Sequence, residues 1–286
     1  MKITYDSLRQ ATEQCLVTAG SSYTPDRLAA YGRAIEAEQG VNAKWFLQLL
    51  KENAEIAQRE KLPLCDDTGI PHVIIRLGEH CELPAGWLAA IRAGVSDGLR
   101  SLPGRPMAVK GNDVQRVEQS LGLYTESEAL EPAPFRIVPV PGDKVEIVVL
   151  MLGGGPEIRA RTRRIFHKRS MEKVIGEVSQ WLCEEAGVLG CTPLIAAVGI
   201  GRSQVEASAM MLEAMADGTL DVQNEWEKKI TDAINNTNVG PLGLGGKCTA
   251  MGCFLKVGPI RASGVRIVCA RPCCTMEPRV GKIVLG

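Results

Sequence analysis

VEIVVLMLGGG, residues 145–155, is the stretch that decides the fold class. Its first eight positions, Val145 to Leu152, are apolar or β-branched except for Glu146. A short continuous apolar run of this kind, ending in a glycine turn, is the signature of a buried strand. Beyond the turn a helix is predicted, with Val174, Val178, Trp181 and Leu182 on one face. Strand, glycine turn and helix together present backbone N–H groups to an anion. GGGPE (153–157) has neither the lysine–serine pair of a Walker loop nor a GxGxxG arrangement, so a nucleotide loop is rejected. A carboxylate-binding turn and a simple tight connection remain.

Outward from this strand, Val73-Ile74-Ile75 reads as a further strand, as do about 248–257 and 264–271, and Cys191-Thr192-Pro193 opens a segment leading into Ile195 to Val198 and Gly199-Ile200-Gly201. Helices are predicted over 85–102, 203–217 and 221–236, and 104–131 is polar and irregular. Residues 4–61 read as helical. Leu8, Ala11, Cys15 and Leu16 recur at helical spacing, Thr24-Pro25-Asp26 is an N-cap with proline at the first helical position, and Trp45, Leu47, Leu49 and Leu50 make an apolar stripe. No internal repeat or linker is visible. The expectation is a mixed α/β fold in a single domain, 1–286. A helical N-terminal layer (about 1–61) packs on a mixed β-sheet core (about 62–286) whose turns carry the chemistry.

Composition narrows the partners. The 286 residues are 45% hydrophobic, and 33 basic side chains balance 33 acidic ones, so no long-range field points to nucleic acid or an anionic membrane. The longest basic stretch, RARTRRIFHKR (159–169), reads as a solvated helix face, with an anion or partner contact as the alternative. The N-terminus has no apolar leader and no run is long enough to span a bilayer, so a reducing cytoplasm is expected.

In that compartment the ten cysteines stay free or bind metal. Cys15 lies on an apolar helical stripe and Cys183 inside a predicted helix, both structural positions. Cys248, Cys253 and Cys269 are expected to pack in strands. Three other places set thiols in turns: PLCDDTG around Cys65, GCTPLIAAVGIG around Cys191, and the end of the chain at Cys273-Cys274, which follows the glycine-dense turn 240–246. A thiol beside Asp66 and Asp67 is electrostatically awkward, and a positive centre such as a metal cluster would reverse that cost. With three histidines in the chain, thiolates would carry the ligation. A cubane held by three cysteines leaves one iron open as a Lewis acid for a hydroxyl or carboxylate, with Asp67 as a nearby base.

From about residue 60 to its end the chain resembles the α subunit, or N-terminal catalytic domain, of the class I fumarase and L-tartrate dehydratase family of iron–sulfur hydro-lyases, as a divergent member. The residues that carry the resemblance are PLCDDTG (63–69), GGGPE (153–157), CTPLIAAVGIG (191–201), NVGPLGLGGKCTA (238–250) and ASGVRIVCARPCC (262–274) with Arg279 following. The corresponding family patterns are PxCQDTG, KGGGSEN, CPPxxxGIGIGG, GPxGLGG and a terminal cysteine followed by CWAxRR-type residues. Each motif alone is weak; the set, in this order and spacing, is specific.

The resemblance implies a [4Fe-4S] cluster ligated by Cys65, Cys191 and a terminal cysteine. Cys274 is favoured by counting from Ala262-Ser263, with Cys273 as the alternative. It implies catalytic roles for Asp67 and Thr68, and substrate contacts from Asp66, Gly154, Gly155 and Arg279. It also implies a β-type partner subunit in an αβ or α2β2 assembly, a reading shared by the abrupt end of the chain at KIVLG286. The expected reaction is reversible dehydration of a small hydroxy acid such as malate or tartrate.

Four departures qualify the substrate. Asp66 replaces a glutamine, Leu152 stands where a lysine is expected, and Pro156 and Ile158 alter the SEN that follows the glycines. The family's arginine-bearing segment is unrecognisable in 100–125, with Arg105 its nearest counterpart. An added carboxylate and a missing cation favour a less anionic substrate. Competing readings are a non-catalytic iron–sulfur or zinc sensor or scaffold, and elimination of sulfide or ammonia at the same type of cluster.

Overall fold

The apolar runs pair into two four-stranded mixed sheets, described for residues 2–286 in a computed structural model. The helices are α1 (Tyr5–Ser21), α2 (Pro25–Ala37), α3 (Val41–Glu60), α4 (Trp87–Ser101), α5 (Asp113–Glu118), the single turn α6 (Gly154–Glu157), α7 (Met171–Ala186), α8 (Gln204–Asp217) and α9 (Glu225–Asn235). The strands are β1 (Ile70–Gly78), β2 (Arg136–Val140), β3 (Val145–Leu152), β4 (Arg161–Phe166), β5 (Leu194–Gly201), β6 (Ala250–Val257), β7 (Val265–Cys273) and β8 (Arg279–Leu285). The chain is mixed α/β, as its sequence indicates.

It divides into two compact units. The first comprises the N-terminus to Tyr23, Ala54–Gly153 and Arg279–Gly286; the second comprises Thr24–Asn53 and Gly154–Pro278. In the first, the strand order is β2-β1-β3-β8. β1 runs parallel to β2 and antiparallel to β3, and β8 is antiparallel to β3. The parallel pair needs a crossover, which α4 supplies. α1 packs on α4 and against β3 and β8, closing a core of Leu8, Leu16, Ile75, Ile91, Val95, Ile147 and Val149. Cys15 lies in this core, its thiol 3.5 Å from the Ile147 carbonyl oxygen, and burial pushes its pKa up to about 12. It is a structural thiol.

In the second unit the order is β4-β7-β5-β6, with β5 parallel to β6 and antiparallel to β7, and β4 antiparallel to β7. β5 is buried along its whole length, which explains its unbroken LIAAVGIG composition. α7 and α9 pack together over Val174, Ile175, Val178, Leu182, Ile230 and Ile234.

Several local expectations are corrected. The basic stretch 159–169 is not a helix face: its centre is the edge strand β4, where Ile165 is buried while Thr162, Arg163 and Arg164 are exposed. Arginines suit such an edge, because charge there opposes unwanted strand pairing. Trp45 does not join a buried stripe; it is 57% exposed and Leu49 is also exposed, while Leu47 and Leu50 are buried. Segment 104–131 contains α5, closed by a capping box between Asn112 and Gln115. Cys253 and Cys269 pack in β6 and β7, but Cys248 lies in the loop before β6. β2 and β8, which the sequence left unmarked, are half-exposed edge strands with mixed burial.

Candidate functional site

In the first unit the Cys65–Gly69 turn enters β1. Register sets Ile70 opposite Leu152, so the turn lies at the end of β3 where the glycine run begins. Gly69 has φ +85°, and a Cβ there would come within 2.7 Å of the Leu152 carbonyl carbon, so only glycine fits. Thr68 is buried; its N–H reaches the Asp66 carbonyl at 3.0 Å, and its hydroxyl oxygen accepts the Arg105 N–H at 2.7 Å. Arg279, the first residue of β8, is buried. Its Nη1 donates to the Asp67 carbonyl at 2.8 Å and its Nε to the Met151 carbonyl at 3.1 Å. A sequence-predicted substrate contact therefore holds the backbone of the turn that carries Asp67.

The Cys65 thiol is half-buried and 3.5 Å from Asp66 Oδ1. Burial raises its pKa most, and Asp66 adds to the rise; the Asp67 N–H and the Arg279 guanidinium oppose it. Asp66 itself is exposed, with one carboxylate oxygen 3.5 Å from Arg105 Nη1. So Asp66 pairs with Arg105, a cation of segment 100–125. An ion pair this exposed contributes little stability, but it partly neutralises Arg105.

In the second unit the Cys191 turn enters β5, and Ile195 lies opposite Cys273 at the end of β7. The Thr275 N–H donates to the Cys191 carbonyl at 2.8 Å, so the Cys191 turn and the Cys274 loop meet directly. Thr192 ties in the glycine-dense turn. Its hydroxyl reaches the Gly240 carbonyl at 2.5 Å and its own carbonyl accepts the Leu242 N–H at 3.0 Å. Gly240 has φ +70°, and a Cβ there would lie 1.9 Å from the Gly245 oxygen, so the turn closes only on glycine.

Glu38, buried at the C-terminus of α2, anchors that turn from behind. Its carboxylate accepts N–H groups of Gln39 and Gly40 at 2.9 and 3.1 Å, and of Lys247 and Cys248 at 3.0 and 3.4 Å. Burial alone would raise its pKa; the four N–H groups outweigh burial and lower it.

The two terminal cysteines have opposite surroundings. Cys273 ends β7 with its sulfur fully buried, 3.5 Å from the Met215 sulfur, and burial drives its pKa up. Cys274 is half-buried in the loop that follows. That loop is held from α2 and β7. Arg27 donates to the Thr275 and Pro278 carbonyls at 2.5 and 2.6 Å, and the Tyr31 hydroxyl donates to the Thr275 carbonyl at 2.7 Å. Arg271, fully buried, makes a forked ion pair with Glu277 at 3.0 and 3.2 Å and also binds Glu157 of the GGGPE segment. Burial works against the Arg271 charge, and Glu277 more than offsets it.

Sequence reasoning missed Arg27, Tyr31, Arg271, Glu277 and Glu38. Only ARP(270–272) beside the cysteines offered a signal. Gly154 and Gly155 lie in α6, and a Cβ at Gly155 would meet nothing within 4 Å.

The donor set has the character that a three-thiolate centre needs. Cys191 is exposed, Cys65 and Cys274 are half-buried, and all three sit in turns. Cys15, Cys253, Cys269 and Cys273 are buried in helix or strands. As the side chains stand, no three His, Cys, Asp or Glu converge to hold a metal ion among the described residues. No helix among them is long and apolar enough to cross a membrane.

The model of the family described as fumarate hydratase (Fumerase) matches residues 9–283. The chain is a hydro-lyase, an enzyme that adds or removes water. It belongs to the fumarate hydratase (Fumerase) family. Among curated proteins, it is 23% identical over 274 residues to a putative L(+)-tartrate dehydratase subunit alpha of Methanocaldococcus jannaschii, covering 92% of this chain and 93% of the relative. It is 25% identical over 244 residues to the L(+)-tartrate dehydratase subunit alpha of Escherichia coli (strain UTI89), covering 83% and 78%.

Proposed function

We propose that this chain is the α-type subunit of an iron–sulfur hydro-lyase that interconverts a small hydroxy acid and its dehydrated product. A [4Fe-4S] cluster would be held by Cys65, Cys191 and Cys274. The observation that carries this reading is the Thr275–Cys191 hydrogen bond, which joins two of those three thiol-bearing turns in one unit. The burial of Cys273 against Met215 favours Cys274 over its neighbour. When bound, such a cluster supplies an open iron that acts as a Lewis acid toward a hydroxyl or carboxylate.

The chain's own residues do the rest. Asp67, its backbone held by Arg279, takes the substrate proton. Thr68 orients the turn through the Arg105 N–H. Gly155, where a Cβ would meet nothing within 4 Å, and its neighbour Gly154 receive a carboxylate, and the Asp66–Arg105 pair weakens one cationic contact, favouring a substrate less anionic than a dicarboxylate. The relatives are named as alpha subunits, which supports a β-type partner in an αβ or α2β2 assembly, with the chain alone weakly active.

The test is anaerobic co-purification with such a partner, followed by iron and sulfide analysis and EPR of the oxidised protein. A three-iron signal, the mark of a cubane that has lost its unligated iron, is expected. Stoichiometric zinc without sulfide would sink the reading. The same preparation assayed on malate, fumarate and tartrate decides the substrate, and fast fumarate turnover would reject the less anionic class.

A further inference from the structure

Within the basic stretch 159–169, two arginines are paired with acidic residues of the second unit. Arg159 and Arg161 pair with Glu185, Arg161 also reaches Glu184, and Arg163 stacks over Trp181 at 5.0 Å. Arg169, at its end, is different. It borders a cavity of about 410 Å³ whose floor is apolar, made by Met171, Val174, Ile200, Val257 and Ile260, and whose rim carries His167, Arg169 and Arg266. A smaller cleft of about 50 Å³ adjoins it, sharing Ile260 and Arg266 and adding Arg261. No aspartate or glutamate lines either space. Among the described residues, none of Arg169, Arg261 and Arg266 makes an ion pair; Arg266 Nη1 reaches only the Ser263 and Val265 carbonyls, at 3.3 and 2.9 Å. In a chain of balanced charge, two such arginines on one apolar pocket and a third in the adjoining cleft are not a general basic background.

The surroundings are preorganised. His167 Nδ1 accepts the Arg169 N–H at 2.9 Å and its Nε2 lies 2.7 Å from the Ser263 carbonyl, an arrangement that suits the tautomer with Nε2–H as donor. The ring thereby locks both sides of the rim. Ser170 caps α7 by accepting the Lys173 N–H at 3.2 Å, and Ser170, Met171 and Val174 at the start of that helix line the cavity. The cavity is within the size range of small-molecule sites. It lies at the Gly201 end of β5, whereas Cys191 precedes the other end, roughly 23 Å away along the strand.

We propose that this cavity binds a small anion with an apolar body, a carboxylate or phosphate monoester whose charged head meets Arg169 and Arg266 and whose hydrocarbon or aromatic part rests on Val174, Val257 and Ile260. The site is separate from the cysteine-bearing turns and does not depend on the hydro-lyase reading.

Calorimetric titration of the full chain with phenyl phosphate, 3-phenylpropionate and inorganic phosphate tests it. Saturable binding of the two aromatic anions is expected, with inorganic phosphate weaker by about tenfold or more, because it leaves the apolar floor uncovered. Arg266→Ala and Arg169→Ala should each weaken phenyl phosphate by about tenfold, and Ile260→Asp should weaken it as well. Cys191→Ser should leave it unchanged, with thermal melts verifying that each variant is folded. Equal binding of inorganic phosphate, indifference to the arginine substitutions, or loss of binding in Cys191→Ser would overturn the proposal. Preference for phenyl phosphate over 3-phenylpropionate assigns the phosphate monoester class, and the reverse assigns the carboxylate.

Discussion

The two sheets share one strand plan. In each, a central strand (β1 or β5) runs parallel to an edge strand reached through helical crossover and antiparallel to a second central strand (β3 or β7), which pairs with a fourth strand. In each, a cysteine turn precedes the first central strand and faces the end of the second. They differ in where the fourth strand falls in the chain: β8 comes last in the first unit, β4 comes first in the second. They differ also in how the turn is fastened. In the first unit a single buried cation, Arg279, holds two carbonyls. In the second, Thr192, a glycine-only turn, Glu38, Arg27 and Tyr31 divide the work. The same frame can thus fasten a cysteine-bearing turn with either one charged clamp or a distributed network.

The largest expected effect separates turn thiols from core thiols. Cys65→Ser, Cys191→Ser and Cys274→Ser should each reduce iron and sulfide to background, whereas Cys273→Ser should keep both and lower only the melting temperature. If Cys273→Ser lost iron and Cys274→Ser kept it, the two terminal roles would be exchanged. Next, Asp67→Asn should lower kcat by about 10²–10⁴-fold with iron content intact, as removal of a general base does; unchanged turnover would move the base elsewhere.

The glycine turns come third. Gly69→Ala and Gly240→Ala each force a Cβ into backbone at positive φ and should destabilise their unit by about 2 kcal/mol or more in urea unfolding. Gly155→Ala, in open space, should stay within about 0.5 kcal/mol. A similar loss at all three would show that the open position is filled.

Smallest is the pH response of Glu38. Its folded pKa is lowered, so its contribution is present above the ordinary glutamate pKa of about 4.3 and is lost as pH falls through the lower folded value. The stability gap between wild type and Glu38→Gln should be flat near neutrality and shrink only in acid. A gap that widened in acid would contradict the hydrogen bonds assigned to this carboxylate.

The legibility of these parts in the sequence was uneven, for physical reasons. The strand Val145–Leu152 was plain, because a strand buried along its length must be apolar throughout; the equally buried 194–201 run was noticed only for the cysteine turn that opens it. Edge strands were not. β4 reads as a basic tract and β8 as an unremarkable tail, because one face of each meets solvent and pairing, not composition, makes them strands. The turn cysteines stood out through their glycine, proline and aspartate neighbours, since turns demand those residues locally.

What the sequence determined by itself was therefore the α/β class, the family and the candidate thiols, all carried by short-range pattern. Tertiary structure alone decided that two units share one strand plan, that Cys273 faces the core while Cys274 does not, and that Arg27, Arg271, Arg279 and Glu38 hold the turns. These depend on hydrogen bonds between residues far apart in the chain, such as Arg27 with Pro278 and Glu38 with Lys247. No local pattern encodes such a bond, because its geometry exists only once the intervening chain has folded.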